Sequence, residues 1–301
     1  MKKRLIVIII LSFFFFHETK QVSAFHNLIE NEDITTEEKI KILQEEITRL
    51  WSIILQLQSQ EKIKENINAH SYLVKNLSDN SIILEKNSRY FYPIASITKL
   101  MNAVIVLENI DLNKTITITP EMLEPHGHSP CIFEGLTVSA NNLLKASLIQ
   151  STNDAAEALS YFIGKEKFIK MMNEKAKDLE MESTLFYDPH GLSLLNSSTA
   201  SDIYKLIDYV YKNHPELLEI TKDNDFYLPD PSGRILKFKN LNNFHESSNF
   251  IGGKTGYLPA ARQTFVSIFK IKNNPIAIIL LKSNNRQSDV SKIIDWLELS
   301  N

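Results

Sequence analysis

The sequence predicts an α/β body preceded by a separate helix, and three observations carry that reading. Short strand-like runs open the body at residues 71–75 and 81–85. Helical patterns then fill about 96–213. Strands return at 264–271 and 276–282, before a closing helix. A single sheet fed from both ends of the chain, covered by helices from its middle, buries such a pattern. Composition agrees: of 301 residues, 43% are apolar and 23% charged, which excludes wholesale disorder.

The amino terminus reads as an address. Met1-Lys2-Lys3-Arg4 is cationic, and Leu5–Phe16 is apolar apart from Ser12. That run falls short of the roughly 20 residues a spanning helix needs. It fits the apolar region of a secretory signal, with cleavage expected after Val22-Ser23-Ala24. An uncleaved anchor is the alternative, so residues 1–24 are a signal peptide or an anchor. Membrane association through this segment stays open, and either form puts the body outside the cytoplasm.

Residues 25–69 form an amphipathic or coiled-coil helix and a linker. Ile40, Leu43, Ile47, Leu50, Ile54 and Leu57 recur at alternating steps of three and four, the seam of a coiled coil. Thr35 followed by Glu38 reads as a capping box that starts this helix. Self-association through residues 36–58 and packing of the helix on the body are equally good readings. Neither supplies chemistry.

The body runs over 70–301. Asn76-Leu77-Ser78-Asp79-Asn80 joins the first two strands as a turn-rich connection. Helices are expected at roughly 96–109, 139–150, 154–163, 166–179 and 199–213. Thr199 and Asp202 start the last of these, and Ile203, Leu206, Ile207 and Val210 form its buried stripe. Asn273-Asn274-Pro275 separates the two later strands, and Val290, Ile293, Ile294 and Leu297 mark the closing helix.

The formal charge of −3 gives no basic surplus for nucleic acid, and removing residues 1–24 makes the chain more acidic. A lone cysteine, Cys131, excludes an intramolecular disulfide and reads as a small packed residue. His126-Gly127-His128 lacks a third ligand at zinc spacing and reads as a solvated loop; His190 reads as part of a structural turn.

Three motifs carry chemistry. Ser96-Ile97-Thr98-Lys99 opens a helix, so Ser96 and Lys99 lie one turn apart on one face. A serine hydroxyl needs a neighbouring base, and a lysine serves if its surroundings lower its pKa. Two other Ser-x-x-Lys spellings occur. Ser59–Lys62 is at the polar end of the helix, and Ser267–Lys270 is in a strand, where an odd spacing separates the faces. Ser151-Thr152-Asn153 follows a helix and offers a hydroxyl and an amide to one point. Lys254-Thr255-Gly256 occurs once, where three of only eight glycines fall within five residues. Glycines in a strand mark close approach by another backbone, read here as that of an extended peptide-like substrate.

Taken in this order, the motifs resemble the signature of penicillin-recognising serine enzymes. Flanking residues sharpen the likeness to the low-molecular-weight D-alanyl-D-alanine carboxypeptidases. They include Ala95-Ser96-Ile97-Thr98-Lys99-Leu100-Met101, Asp188-Pro189-His190-Gly191-Leu192 and Gly253-Lys254-Thr255-Gly256-Tyr257. The likeness covers about 70–299. It implies a β-lactamase/DD-peptidase-like fold, an antiparallel sheet of about five strands flanked by helices with a helical lobe. It also implies the roles. Ser96 attacks the carbonyl between two D-alanines with Lys99 as base. Ser151 carries the proton to the leaving D-alanine, and Asn153 holds the peptide. Lys254 tunes the site, Thr255 and Gly256 help bind the substrate and its carboxylate, and Tyr257 shares the oxyanion hole with Ser96.

The implied partners are peptidoglycan stem peptides, with β-lactams as covalent inhibitors, and no cofactor is implied. Endopeptidase cleavage of cross-links, β-lactam hydrolysis and a non-catalytic wall-binding scaffold are the alternatives. Leu258 and Ala261-Arg262 depart from the family pattern beside the carboxylate pocket, where Arg262 is a candidate replacement. The sequence stops soon after the closing helix, without the β-rich carboxyl-terminal domain many members carry.

Overall fold

The computed structural model describes residues 35–127 and 129–299, so the expected signal or anchor at 1–24 lies outside the described residues. Among the described residues, no helix is long and apolar enough to cross a membrane. The first helix, α1 (Thr36–Asn66), runs two turns beyond the expected seam. It opens on the capping box: Glu38 N–H donates to Thr35 Oγ1 (3.3 Å) and Thr35 N–H to Glu38 Oε2 (3.0 Å). Ile40, Leu43, Ile47, Leu50, Trp51 and Leu55 are exposed.

The chain divides into two compact units within α1, one up to Glu61 and one from Lys62 onward. The second unit begins earlier than the linker because Ile63 and Ile67 are buried in the same apolar cluster as Val290, Ile293 and Leu297. It contains a five-stranded antiparallel sheet built from β1 (Ser71–Asn76), β2 (Ile82–Lys86), β3 (Phe250–Leu258), β4 (Arg262–Ile271) and β5 (Asn274–Ser283). Their order is β2-β1-β5-β4-β3. The expected joining of the two chain ends is literal: Ser71 pairs with Leu281 and Asn76 with Ile276.

Strand β5 lies at the centre, which explains its unbroken run of buried apolar residues from Ile276 to Leu281. Alternate side chains enter opposite cores. Ile276, Ile278 and Leu280 join Phe265, Phe269 and the closing helix α8 (Arg286–Leu299). Ala277, Ile279 and Leu281 join the helical core on the other face. Burial of each large apolar side chain contributes roughly 1.5–3 kcal/mol, so both faces hold the sheet.

The helical face comprises α2 (Thr98–Asn109), α3 (Ala140–Ile149), α4 (Asn153–Tyr161), α5 (Lys165–Asp178), α6 (Ala200–Asn213) and α7 (Pro215–Lys222). Every residue of α2 from Thr98 to Val106 is buried, the polar Thr98, Lys99 and Asn102 included. At the start of α6, Thr199 Oγ1 accepts the Asp202 N–H (3.0 Å), the cap expected from the sequence.

Strand β3 is the element the sequence hides, because glycine has low strand propensity. It forms by pairing with β4 along its length, from Leu258 opposite Arg262 to Phe250 opposite Phe269. The expectation that a substrate occupies the space left by its glycines is corrected at all three. Gly252 lies against Leu218 of α7, and Gly253 against Ser267 of β4, so the close visitor there is the protein itself. A Cβ at Gly256 would stand 2.4 Å from Thr264 Oγ1 and 2.9 Å from the Ser96 nitrogen. Glycine lets β3 reach the serine.

Candidate active site

Ser96 sits in a 3-10 turn, Ala95–Ile97, that runs directly into α2. The shared turn brings Lys99 beneath it, and Lys99 Nζ lies within hydrogen-bond distance of Ser96 Oγ, at 3.0 Å. Ala95 adopts a left-handed backbone, φ 51°, which costs a non-glycine residue about 1–2 kcal/mol. Lys99 has no exposed surface. Burial pulls its pKa down to about 7, against the opposing pull of Asp188 and Asp154. An amine in that range can take a proton from a hydroxyl near neutral pH.

Ser151 lies in the bend between α3 and α4, again with a left-handed backbone (φ 61°). Its hydroxyl accepts from Lys254 Nζ at 2.8 Å. Lys254 comes from the middle of β3, is 2% exposed, and also donates to the Thr255 carbonyl at 2.9 Å. Burial drives its pKa well below the ordinary lysine value, and the positive charges of Lys99 and Arg286 push it the same way. Asn153, the first residue of α4, joins the two halves. Its Oδ1 accepts from Lys99 Nζ at 2.8 Å, and its Nδ2 donates to the His126 carbonyl at 2.7 Å.

These groups meet at one cleft of about 210 Å³, lined by Ser96, Ser151, Asn153, Thr255, Tyr257 and Arg286 among others. Gly256 lines it too, so the eight residues singled out in the sequence converge, with Lys99 and Lys254 reaching it through the two serines. The decoy in β4 separates as expected: Ser267 is buried and Lys270 exposed.

Arg262 does not fill the role considered for it. Its guanidinium donates to Asn284 Oδ1 (2.8 Å), away from the cleft. The cation at the cleft is Arg286, which opens α8 and donates to the Gly256 carbonyl at 2.8 Å. No motif announces Arg286. Its place follows only from register, since Ser283 pairs with Gln263 and Gln263 with Tyr257. Two further contributors are backbone carbonyls, those of His126 and His190, and residue identity cannot reveal them. The His190 carbonyl accepts from Lys99 Nζ at 2.6 Å.

A hydroxyl held by a near-neutral amine, a second lysine–serine pair across a cleft and a sheet edge beside them define a serine acyl-transfer enzyme of the β-lactamase and penicillin-binding-protein fold. Comparison with known proteins gives the finer class. Residues 57–285 match the S11 peptidase family, described as D-alanyl-D-alanine carboxypeptidase. A D-alanyl-D-alanine endopeptidase of Escherichia coli is 32% identical over 242 residues, covering 76% of each chain. One of Haemophilus influenzae is 35% identical over 225 residues, covering 72% of this chain and 76% of the relative. Among solved structures, a D-alanyl-D-alanine carboxypeptidase of Mycobacterium tuberculosis superposes with a TM-score of 0.71. It is 26% identical, and the match covers 76% of this chain and 90% of that one. The chain belongs to the S11 family of serine DD-peptidases.

Proposed function

We propose that this protein removes the terminal D-alanine from peptidoglycan stem peptides through an acyl-enzyme on Ser96, outside the cytoplasm. The observation that carries the reading is the 3.0 Å contact between Ser96 Oγ and a lysine held near neutrality. Ser96 Oγ attacks the carbonyl of the penultimate D-alanine as Lys99 takes the hydroxyl proton. The N–H groups of Ser96 and Tyr257 stabilise the oxyanion. Collapse expels D-alanine, whose nitrogen receives a proton through Ser151, and water then releases the shortened peptide. Asn153 retains a second N–H for the peptide, because its first is taken by His126. Thr255 and Arg286 receive the terminal carboxylate, with Lys254 supporting Ser151.

A second reading, cleavage of cross-links, is favoured by the names of relatives. Three between 30% and 35% identical are D-alanyl-D-alanine endopeptidases, and carboxypeptidases appear at 29% and below. Both readings use one acyl-enzyme and differ in the leaving group. Labelled penicillin is expected to attach at Ser96, with the adduct abolished in Ser96→Ala while the fold persists. Undiminished labelling of that variant would reject the nucleophile. Weighing the products from a pentapeptide and from cross-linked muropeptides separates the readings: loss of one alanine supports the first, and severed dimers support the second.

A further inference from the structure

We propose that the turn from Asp188 to Ser193 is a positioning device for Lys99, which it holds through the His190 carbonyl so that the lysine lone pair faces Ser96. The inference rests on the acyl-enzyme reading and adds residues outside the three motifs.

The argument begins at Nζ. Its three neighbours are the His190 carbonyl at 2.6 Å, Asn153 Oδ1 at 2.8 Å and Ser96 Oγ at 3.0 Å. Two of these are carbonyl oxygens, which only accept; the hydroxyl alone can donate. A neutral amine has two N–H bonds and one lone pair. Committing both N–H bonds to the carbonyls leaves the lone pair pointing at the Ser96 hydroxyl, the orientation a base requires. Without the His190 carbonyl the amine is free to turn about its Cε–Nζ bond and present hydrogen to Ser96 instead.

The turn is built to hold that carbonyl still. Asp188 Oδ1 accepts the N–H groups of His190 (3.0 Å) and Gly191, and Asp188 Oδ2 accepts that of Ser193 (2.6 Å). Asn196 clamps the same residue, donating to the Asp188 carbonyl at 3.0 Å and to its Oδ1 at 3.1 Å. Gly191 has φ +92°, and a Cβ there would lie 2.1 Å from the Ala95 carbonyl, so the turn rests directly on the turn that carries Ser96. The His190 ring is anchored behind. Its Nδ1 accepts the Leu192 N–H at 3.3 Å, and its Nε2 lies 3.4 Å from Oε2 of Glu157, a fully buried residue of α4 paired with Lys165. Burial lowers the ring's pKa to about 4, so it is neutral at working pH.

The charges that act on Lys99 come from two elements, Asp188 from this turn and Asp154 from α4, and Lys99 acts in turn on Lys254 of β3. Glu157 of α4 and its partner Lys165 stand behind the His190 ring. Position and charge are therefore separable by substitution. The test is the rate of acylation by labelled penicillin per labelled molecule of full chain, followed against pH. His190→Ala is expected to lower the plateau 10- to 100-fold, as loss of orientation does, with the midpoint unmoved because a neutral ring is removed. Asp188→Asn is expected to lower the plateau and to move the midpoint downward by on the order of one pH unit, since a negative charge that favoured the ammonium is gone. A merely structural role would reduce the labelled fraction and leave rate and midpoint alone. His190→Ala with the wild-type plateau overturns the proposal, and it decides the matter alone if Asp188→Asn fails to fold. A wild-type chain that takes no label at Ser96 overturns the acyl-enzyme reading, and this proposal with it.

Discussion

Lys99 and Lys254 are the same side chain, both sealed from solvent and each within hydrogen-bond distance of a serine hydroxyl, but they keep different company. Lys99 lies within the field of two carboxylates, Asp188 and Asp154, and two neutral carbonyl oxygens hold it. Lys254 has no carboxylate among its influences; Lys99 and Arg286 both press it towards neutrality. Burial alone would drive both amines far from their ordinary range. The carboxylates bring Lys99 back to about 7, where it can gain and lose a proton during turnover. Lys254 instead donates to Ser151 with its pKa held well below the ordinary lysine value. One residue type, placed on a helix beside acids and on a strand beside cations, takes two tasks.

Three substitutions sharpen or break that contrast. The largest effect is expected from Lys99→Met, which removes the base: acylation by labelled penicillin should fall by about 10²–10⁴. Wild-type acylation should rise as pH climbs through about 7, where Lys99 loses its proton. Next comes Lys254→Met, with a loss on the order of 10²-fold from a disturbed Ser151. Any displacement of its midpoint should be upward, since a second amine can only oppose the ammonium form of Lys99. A downward displacement of the midpoint would break the contrast. The smallest effect is expected from Arg286→Gln. Loss of a charge-assisted contact to a substrate carboxylate raises KM by roughly 10-fold for a peptide with a free terminus, with kcat little changed. An equal fall in kcat would show that Arg286 acts on the chemistry.

Much of this site was legible because its chemistry is written in side chains. Ser96, Lys99, Ser151, Asn153, Lys254 and Thr255 announce themselves by type and order, and helical spacing already separated Ser96–Lys99 from Ser267–Lys270. Most of the sheet was legible. Strands β1, β2, β4 and β5 follow from strand-like runs, but β3 depends on glycines accepted for their small size against Leu218, Ser267, Thr264 and Ser96. What stayed hidden was contributed by backbone or by register. The carbonyls of His126 and His190 would be the same on any residue, and Arg286 reaches the cleft only because three strands pair in one alignment. The reading of His190 as part of a structural turn described its surroundings and missed what its carbonyl holds.

The backbones at Ala95 and Ser151 have a consequence for how such a molecule could change over generations. Both adopt the left-handed geometry that L-residues resist, one beside the nucleophile and one at the second serine. Relaxing either would harden the molecule against heat while slackening the ground beneath a reacting hydroxyl. Heat-adapted descendants are therefore expected to gain their toughness in the two apolar layers around the central strand, leaving these two awkward joints as they stand.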